Sequence, residues 1–240
     1  MKALILNSGL GHRMGVLTSE HPKCMTDIPG NETILSRQLR LVANTDIKDV
    51  VITTGYFDQV LVDYCESLNL PLNIKFVKNP LFDKTNYIYS IYCAKEDLKD
   101  EDIILMHGDL VFEESVLKDI IACENSCMKV SSTLPLPEKD FKSVVRNGRV
   151  YKVGVQFFDE AMESQALYKL NKEEWSKWLN KICEYCESDN TNCYAEVAFN
   201  EISEDCAIYA YDVKDRLCSE IDNPEDLENV SKRLASIENL

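Results

Sequence analysis

Short apolar runs alternate along the chain with longer segments in which apolar side chains recur every three or four positions. The run Ala3-Leu4-Ile5-Leu6 has the length and composition of a strand buried on both faces. Residues 24–28 read as a short extended piece closed by the turn Pro29-Gly30-Asn31. A helix is predicted from about Glu32, with Ile34, Leu35, Leu39 and Val42 at helical spacing and Arg37 and Arg40 interspersed. Residues 50–54 form a second strand, ended by Gly55-Tyr56; a helix follows through Val60, Leu61, Tyr64 and Leu68, and residues 72–77 make a third strand. Strand, helix, strand, helix, strand is the order of a parallel sheet covered on both faces. Ligands on such sheets lie at the carboxyl ends of the strands.

Further on, Ile103-Ile104-Leu105-Met106 is the most apolar run in the middle of the chain and is predicted to be a central strand. From Cys127 the pattern changes to short extended runs. Asn147-Gly148 suits a type I′ turn, so residues 143–152 are predicted to be a hairpin inserted after the first half, with residues 153–158 returning the chain to the main sheet. A helix with Trp175, Trp178, Leu179 and Ile182 on its apolar side starts near Asn171, and residues 194–201 read as a shorter helix with Glu196 and Asn200 on one face. Asn223-Pro224 starts the final helix, with the asparagine as cap and the proline in the first turn.

The strand ends carry the chemistry. Gly9, Gly11 and Gly15 follow the first strand, freeing backbone N–H groups to approach an anion, with Arg13 among them and Lys23 aimed by the rigid Pro22. Met14 stands where a dinucleotide fingerprint needs glycine, and no Gly-Lys-Ser/Thr of a Walker loop occurs. Asp109, after Gly108 at the tip of the central strand, is placed to hold a divalent cation against phosphate oxygens; the plainer alternative is a turn aspartate. Thr85 or Asn86 is positioned to cap a helix and to offer polar groups at its N-terminus. Lys169 is a candidate for a second substrate's phosphate and Tyr168 for its organic part, against the alternative of an ordinary surface lysine.

Composition narrows the partners. A formal charge of −15 argues against a nucleic-acid backbone, and no apolar run approaches the length of a membrane span. The N-terminus reads as a strand and not as a secretion signal, so a cytoplasmic location is expected. Reduced thiols are then the default for the ten cysteines; Cys183, Cys186 and Cys193 have ligand-like proximity, but the first two lie within the tryptophan-bearing helix, where cysteine is a common core residue.

The series Gly9-x-Gly11-x-Arg13-Met14-Gly15, Pro22-Lys23, Asn86-x-x-Tyr89-Ser90, Gly108-Asp109-Leu110 and Glu220-Ile221-Asp222 resembles, in order, the bacterial nucleotidyltransferases that activate phosphocholine, phosphoethanolamine or 2-aminoethylphosphonate. Asn7-Ser8 departs from that group's usual Ala-Ala or Ala-Gly, and His12 replaces a common serine. The resemblance implies a three-layer αβα Rossmann-like nucleotidyltransferase fold, with a mostly parallel central sheet and a small hairpin insertion. It also implies one domain over residues 1–240, of which 1–125 bind nucleotide and 126–240 bind acceptor and supply the C-terminal metal ligand.

On this basis Leu6, Asn7, Ser8, Gly9, Leu10, Gly11, Arg13 and Lys23 hold the triphosphate, and Thr85, Asn86 and Ser90 lie near base or ribose. Asp109 and Asp222, with Glu220 beside them, hold Mg²⁺; Tyr168, Lys169, Glu196 and Asn200 meet the acceptor, and Lys23 and Arg13 stabilise charge at the reacting phosphate. The expected reaction joins CTP to a small phosphorylated or phosphonylated amine or alcohol, releasing pyrophosphate. A sugar-1-phosphate nucleotidyltransferase and a catalytically silent nucleotide-binding regulator are the rival expectations.

Overall fold

The computed structural model describes residues 1–9 and 11–239, apart from the side chains of His12 and Val16. Strand β1 (Lys2–Leu6) leads into 3₁₀ turns over His12–Thr18 and Lys23–Met25, then the small ribbon β2 (Asp27–Ile28) and β3 (Glu32–Thr33). Helix α1 (Ile34–Ala43) follows, capped by a reciprocal pair: Ser36 N donates to Thr33 Oγ1 (3.1 Å), and Thr33 N to Ser36 Oγ (2.8 Å). Next come β4 (Asp49–Thr54), α2 (Asp58–Ser67), β5 (Asn73–Lys78), α3 (Tyr87–Cys93), α4 (Lys95–Leu98), β6 (Ile103–His107), β7 (Leu110–Phe112) and α5 (Glu114–Ala122). The second half contains β8 (Cys127–Ser131), β9 (Lys142–Arg146), β10 (Arg149–Gly154), β11 (Ala161–Leu170), α6 (Lys172–Glu187), α7 (Ala195–Ile202), β12 (Tyr209–Asp212), β13 (Cys218–Glu220) and α8 (Pro224–Glu238).

Nine strands form one sheet in the order β5-β4-β1-β6-β11-β8-β12-β10-β9. From β5 to β6 every pairing is parallel, and Leu6 sits level with Thr53 on one side and His107 on the other. That register brings the loops after β1, β4 and β6 to one edge. Direction reverses at β11, which runs antiparallel to β6 and β8. The hairpin turns on Asn147 (φ 49°) and Gly148 (φ 76°), as a type I′ turn requires. Its strands continue the main sheet, and the chain returns through β11 after a turn, so the strand expected over 153–158 lies at 161–170 instead.

Both faces of β1 are buried, as its apolar run requires: Leu4 and Leu6 pack under α3, α6 and α7 with Trp175 and Trp178, and Ala3 and Ile5 under α1, α2 and α5. A third cluster joins Met14 to Ile28, Val111, Leu217, Ile221 and Leu234. Met14, 1% exposed, thereby seats the glycine loop on β7, on the residues flanking β13 and on α8, which explains an apolar residue at that position.

Two α1 side chains tie these parts together. Gln38 Nε2 donates to His107 O (2.9 Å) and Leu110 O (2.8 Å), holding the backbone on either side of Gly108-Asp109. Arg37, 1% exposed, donates to Phe112 O (3.1 Å) and pairs with Glu238 of α8 (2.6 Å). Hydrogen bonds to a charged group contribute about 1.5–3 kcal/mol, so Arg37→Met is expected to lower stability by about that amount in urea titration. Gly55, after β4, lies so close to the loop that a Cβ would come within 2.3 Å of the Ser8 carbonyl oxygen. Gly55→Ala is therefore expected to cost about 1–3 kcal/mol, read as a lowered urea midpoint, because backbone must move.

Candidate active site

Asp109 and Asp222 are brought together by a ribbon separate from the main sheet. Strand β13 runs antiparallel to β7 with Glu220 opposite Leu110, and Ile221 N donates to Asp109 O (3.0 Å), which sets Asp222 beside Asp109. The cap of α8 belongs to Asn223, whose Oδ1 accepts from Glu225 N (2.9 Å) and Asp226 N (3.0 Å). The carboxylate of Asp226 accepts from Asp222 N (2.9 Å). Helix capping thus leaves the Asp222 carboxylate for the cleft.

Lys23 lies between the two acids, paired with Asp109 and, at 2.7 Å, with Asp222 Oδ1; Arg13 Nη1 reaches Asp222 Oδ2 at 2.8 Å. Burial works against the Lys23 charge, but Asp109 and Asp222 outweigh it and raise its proton affinity. Burial likewise opposes ionisation of Asp109, yet the charges of Lys23 and His107 hold its carboxyl below the usual range. Glu220 is the opposite case: burial, then the neighbouring Asp109 charge, push it up, although His107 Nδ1 lies 3.1 Å from its Oε1. Asp140 is raised by burial and by Asp222.

The donor set fits a hard divalent cation. Asp109 Oδ1 is buried and lacks a hydrogen-bond partner among the described residues. Ligand atoms of His107, Asp109 and Glu220 lie within 4.8 Å of one another, as do those of Asp140, Glu220 and Asp222. Clustered carboxylate oxygens are the ligands that Mg²⁺ and similar ions take.

Three adjoining cavities meet at Asp109. The first, about 340 Å³, lies between the glycine loop and the two acids and is lined by Leu6, Asn7, Gly9, Gly11, Arg13, Lys23 and Asp222. Gly11 adopts φ +66°, and a Cβ there would approach the Lys23 Cβ to 3.1 Å, so glycine brings loop and lysine together. The second, about 250 Å³, is lined by Ser8, Gly9, Asn79, Phe82, Thr85, Asn86 and Ser90. The third, about 200 Å³, lies on the far side of Tyr87 and has Lys139, Asp140, Phe141, Tyr194 and Glu220 in its walls. Tyr87 faces both of the last two.

Most of the residues singled out from sequence fall in this cleft: the loop, Arg13, Lys23, Thr85, Asn86, Ser90, Asp109, Glu220 and Asp222. Leu10 lies outside the described residues. The four acceptor candidates do not line it. Lys169 is a correction: it pairs with Ile104 near the opposite end of β6, and its ammonium donates to Cys123 O (2.9 Å), Glu124 O (3.1 Å) and Asn171. Asn200 is tied to the backbone of Val153, accepting from its N and donating to its O, both at 2.8 Å. Glu196, 1% exposed, accepts from the hydroxyls of Tyr87 and Tyr168, so it stands one layer behind the cleft and steadies Tyr87. Tyr168 is buried there with it.

Sequence reading missed Asn79, Phe82, Lys139, Asp140 and Phe141 as wall residues. Asn79 Nδ2 holds Thr85 Oγ1 and Ser90 Oγ, both at 3.0 Å, a role signalled only by its place after β5 at the carboxyl edge. Aromatic packing places Phe141: Tyr87 stacks on Tyr194 (5.7 Å between centroids) and Phe141 meets Tyr194 edge-on (5.2 Å).

The chain is similar to the CTP:phosphoglutamine cytidylyltransferase of Campylobacter jejuni, 29% identical over 160 residues, or 64% of this chain and 62% of that one. It is also similar to the CMP-5'-(3-aminopropyl)phosphonate synthase of Streptomyces rubellomurinus, 32% identical over 136 residues, or 57% of this chain and 21% of that one. The chain thus spans less than two thirds of the length of these curated relatives. Its fold is that of the CTP:phosphocholine cytidylyltransferase structure from Streptococcus pneumoniae, with TM-score 0.76 and 18% identity over 97% of this chain and 98% of that one. The model of the MobA-like NTP transferase domain matches residues 3–131, the segment that carries the glycine loop, Lys23 and Asp109. With more than half its length matched, the chain belongs to the family of MobA-like NTP transferase domains.

Proposed function

We propose that the protein is a Mg²⁺-dependent cytidylyltransferase that joins CTP to a small phosphorylated or phosphonylated amine or alcohol, giving a CMP-activated product and pyrophosphate. The observation that carries it is the meeting of three compartments at Asp109, beside an ammonium shared by two acids. The first compartment offers loop N–H groups, Arg13 and Lys23 to the triphosphate, and the second offers Ser8, Asn79, Thr85 and Asn86 to base and ribose. The third combines aromatic faces of Tyr87, Phe141 and Tyr194 with Asp140 and Glu220, a setting for a cationic amine. The activities for which the relatives are named, on phosphoglutamine and on an aminopropylphosphonate, lie in the same substrate class.

Both reactants are anions, so the main barrier is bringing negative charges into line. Held by Asp109 and Asp222, Mg²⁺ would neutralise the triphosphate and polarise its α-phosphorus. Lys23, and Arg13, two-thirds exposed at the mouth, would present their charges to the phosphate oxygens. An acceptor oxygen forms the new bond to the α-phosphorus as the bond to the bridging oxygen breaks and pyrophosphate leaves with that electron pair. A phosphomonoester has its second pKa at about 6, so the attacking oxygen needs no base. The free thiols of all ten cysteines favour a reducing compartment, and we place the reaction in the cytoplasm.

Crossing the four ribonucleoside triphosphates with phosphocholine, phosphoethanolamine, 2-aminoethylphosphonate and sugar 1-phosphates in a pyrophosphate-release assay tests the reaction. Turnover is expected with CTP and a phosphorylated or phosphonylated amine or alcohol; preference for a sugar 1-phosphate, or tight CTP binding without turnover, sinks it. Lys23→Ala, Asp109→Ala and Asp222→Ala are each expected to lower kcat about 10²–10³-fold with the circular-dichroism spectrum retained. Wild-type turnover by any of them removes its assigned role. EDTA is expected to abolish pyrophosphate release and Mg²⁺ to restore it; full activity in EDTA would rule out the metal.

A further inference from the structure

The loop from β8 to β9, residues 132–141, ends in Lys139, Asp140 and Phe141, which wall the third compartment. Pro135 and Pro137 give it no amide donors at two positions. A buried cation organises it. Lys142, the first residue of β9, is paired with Gly154 of β10 on one side and Glu163 of β11 on the other, and is 0% exposed. Its ammonium donates back into the loop, to the carbonyls of Pro137 (2.5 Å), Asp140 (3.1 Å) and Glu138 (3.5 Å). The Phe158 ring covers it, with the centroid 4.3 Å from Nζ.

Three N–H donors therefore meet three carbonyls, and among the described residues no carboxylate is in salt-bridge contact with this ammonium, although the Asp140 charge favours it from farther off. A charge buried without a counter-ion is costly unless its hydrogen bonds are made. Seating β9 between its neighbours thus requires residues 137–140 to close around Nζ. Their closure holds the Asp140 backbone while its carboxylate stands with Glu220 and Asp222, and it leads Phe141 to the edge of Tyr194.

We propose that Lys142 is a positioning residue for the second substrate: its ammonium holds the loop in the shape that forms the third compartment, and so sets affinity there. This rests on assigning that compartment to the acceptor. The test uses the full chain as Lys142→Met, Lys142→Arg and Phe158→Leu. Hydrogen–deuterium exchange follows residues 132–141, and pyrophosphate release is measured against CTP and against phosphocholine, phosphoethanolamine and 2-aminoethylphosphonate as probes. Lys142→Met is expected to speed exchange in that loop and to raise the acceptor KM about tenfold or more, with the CTP KM within about twofold, because the freed carbonyls no longer hold one shape. Lys142→Arg recovers part of the loss, since its guanidinium can donate to the same carbonyls. Phe158→Leu, which leaves the strand residue in place should Lys142→Met not fold, shifts the acceptor KM in the same direction by less. Unchanged loop exchange, or CTP and acceptor KM rising by one common factor, overturns the role of Lys142. A wild-type protein that turns over none of the probes overturns the acceptor assignment and the affinity claim with it.

Discussion

One ammonium shared by two carboxylates is the constraint on which the cleft depends. Asp109 and Asp222 come from ribbon and strand ends far apart in sequence, and two ionised acids this close repel each other. Lys23 offsets that repulsion and holds the Asp109 carboxyl below its usual range at the glycine loop. The loop's place follows from the same contact, since Gly11 leaves room for the lysine and Met14 anchors the turn on the cluster that contains Ile221. Charge and packing therefore act on the same few residues.

The remainder of the cleft is a consequence of strand register. Leu6, Thr53 and His107 end level, so the glycine loop, Gly55 and Asp109 share an edge. Reversal at β11 then turns the second half of the sheet so that its loops supply Asp140 and Phe141. The glycine loop, Arg13, Lys23 and Tyr87 thus come from the parallel half, and Asp140, Phe141 and Tyr194 from the mixed half.

Sequence made the parallel half legible because each of its strands is a short apolar run between helices with a clear apolar face. The glycine spacing, Pro22-Lys23 and the two strand-end aspartates were legible for the same reason: each lies where a regular element stops. Strand β11 was obscured by the polar residues Glu163, Gln165 and Lys169 within it. Glu163 is in fact paired with Lys129, itself fully buried, and Lys169 caps carbonyls at the other end of the sheet. Buried charge met by a partner distant in sequence leaves no periodic trace. Asn79 and Phe141 escaped notice for a related reason, since their function depends on which loops become neighbours.

The ribbon of β7 and β13 joins residues 110–112 to residues 218–220 and carries the last acid into position. During synthesis on the ribosome, the glycine loop, Lys23 and Asp109 have all emerged about a hundred residues before Asp222 does. The nascent first half therefore offers Lys23 one acid in place of two, and the lysine meets its second acid only when β13 docks. The two-acid arrangement is a late event in the life of this chain, decided by a strand of three residues.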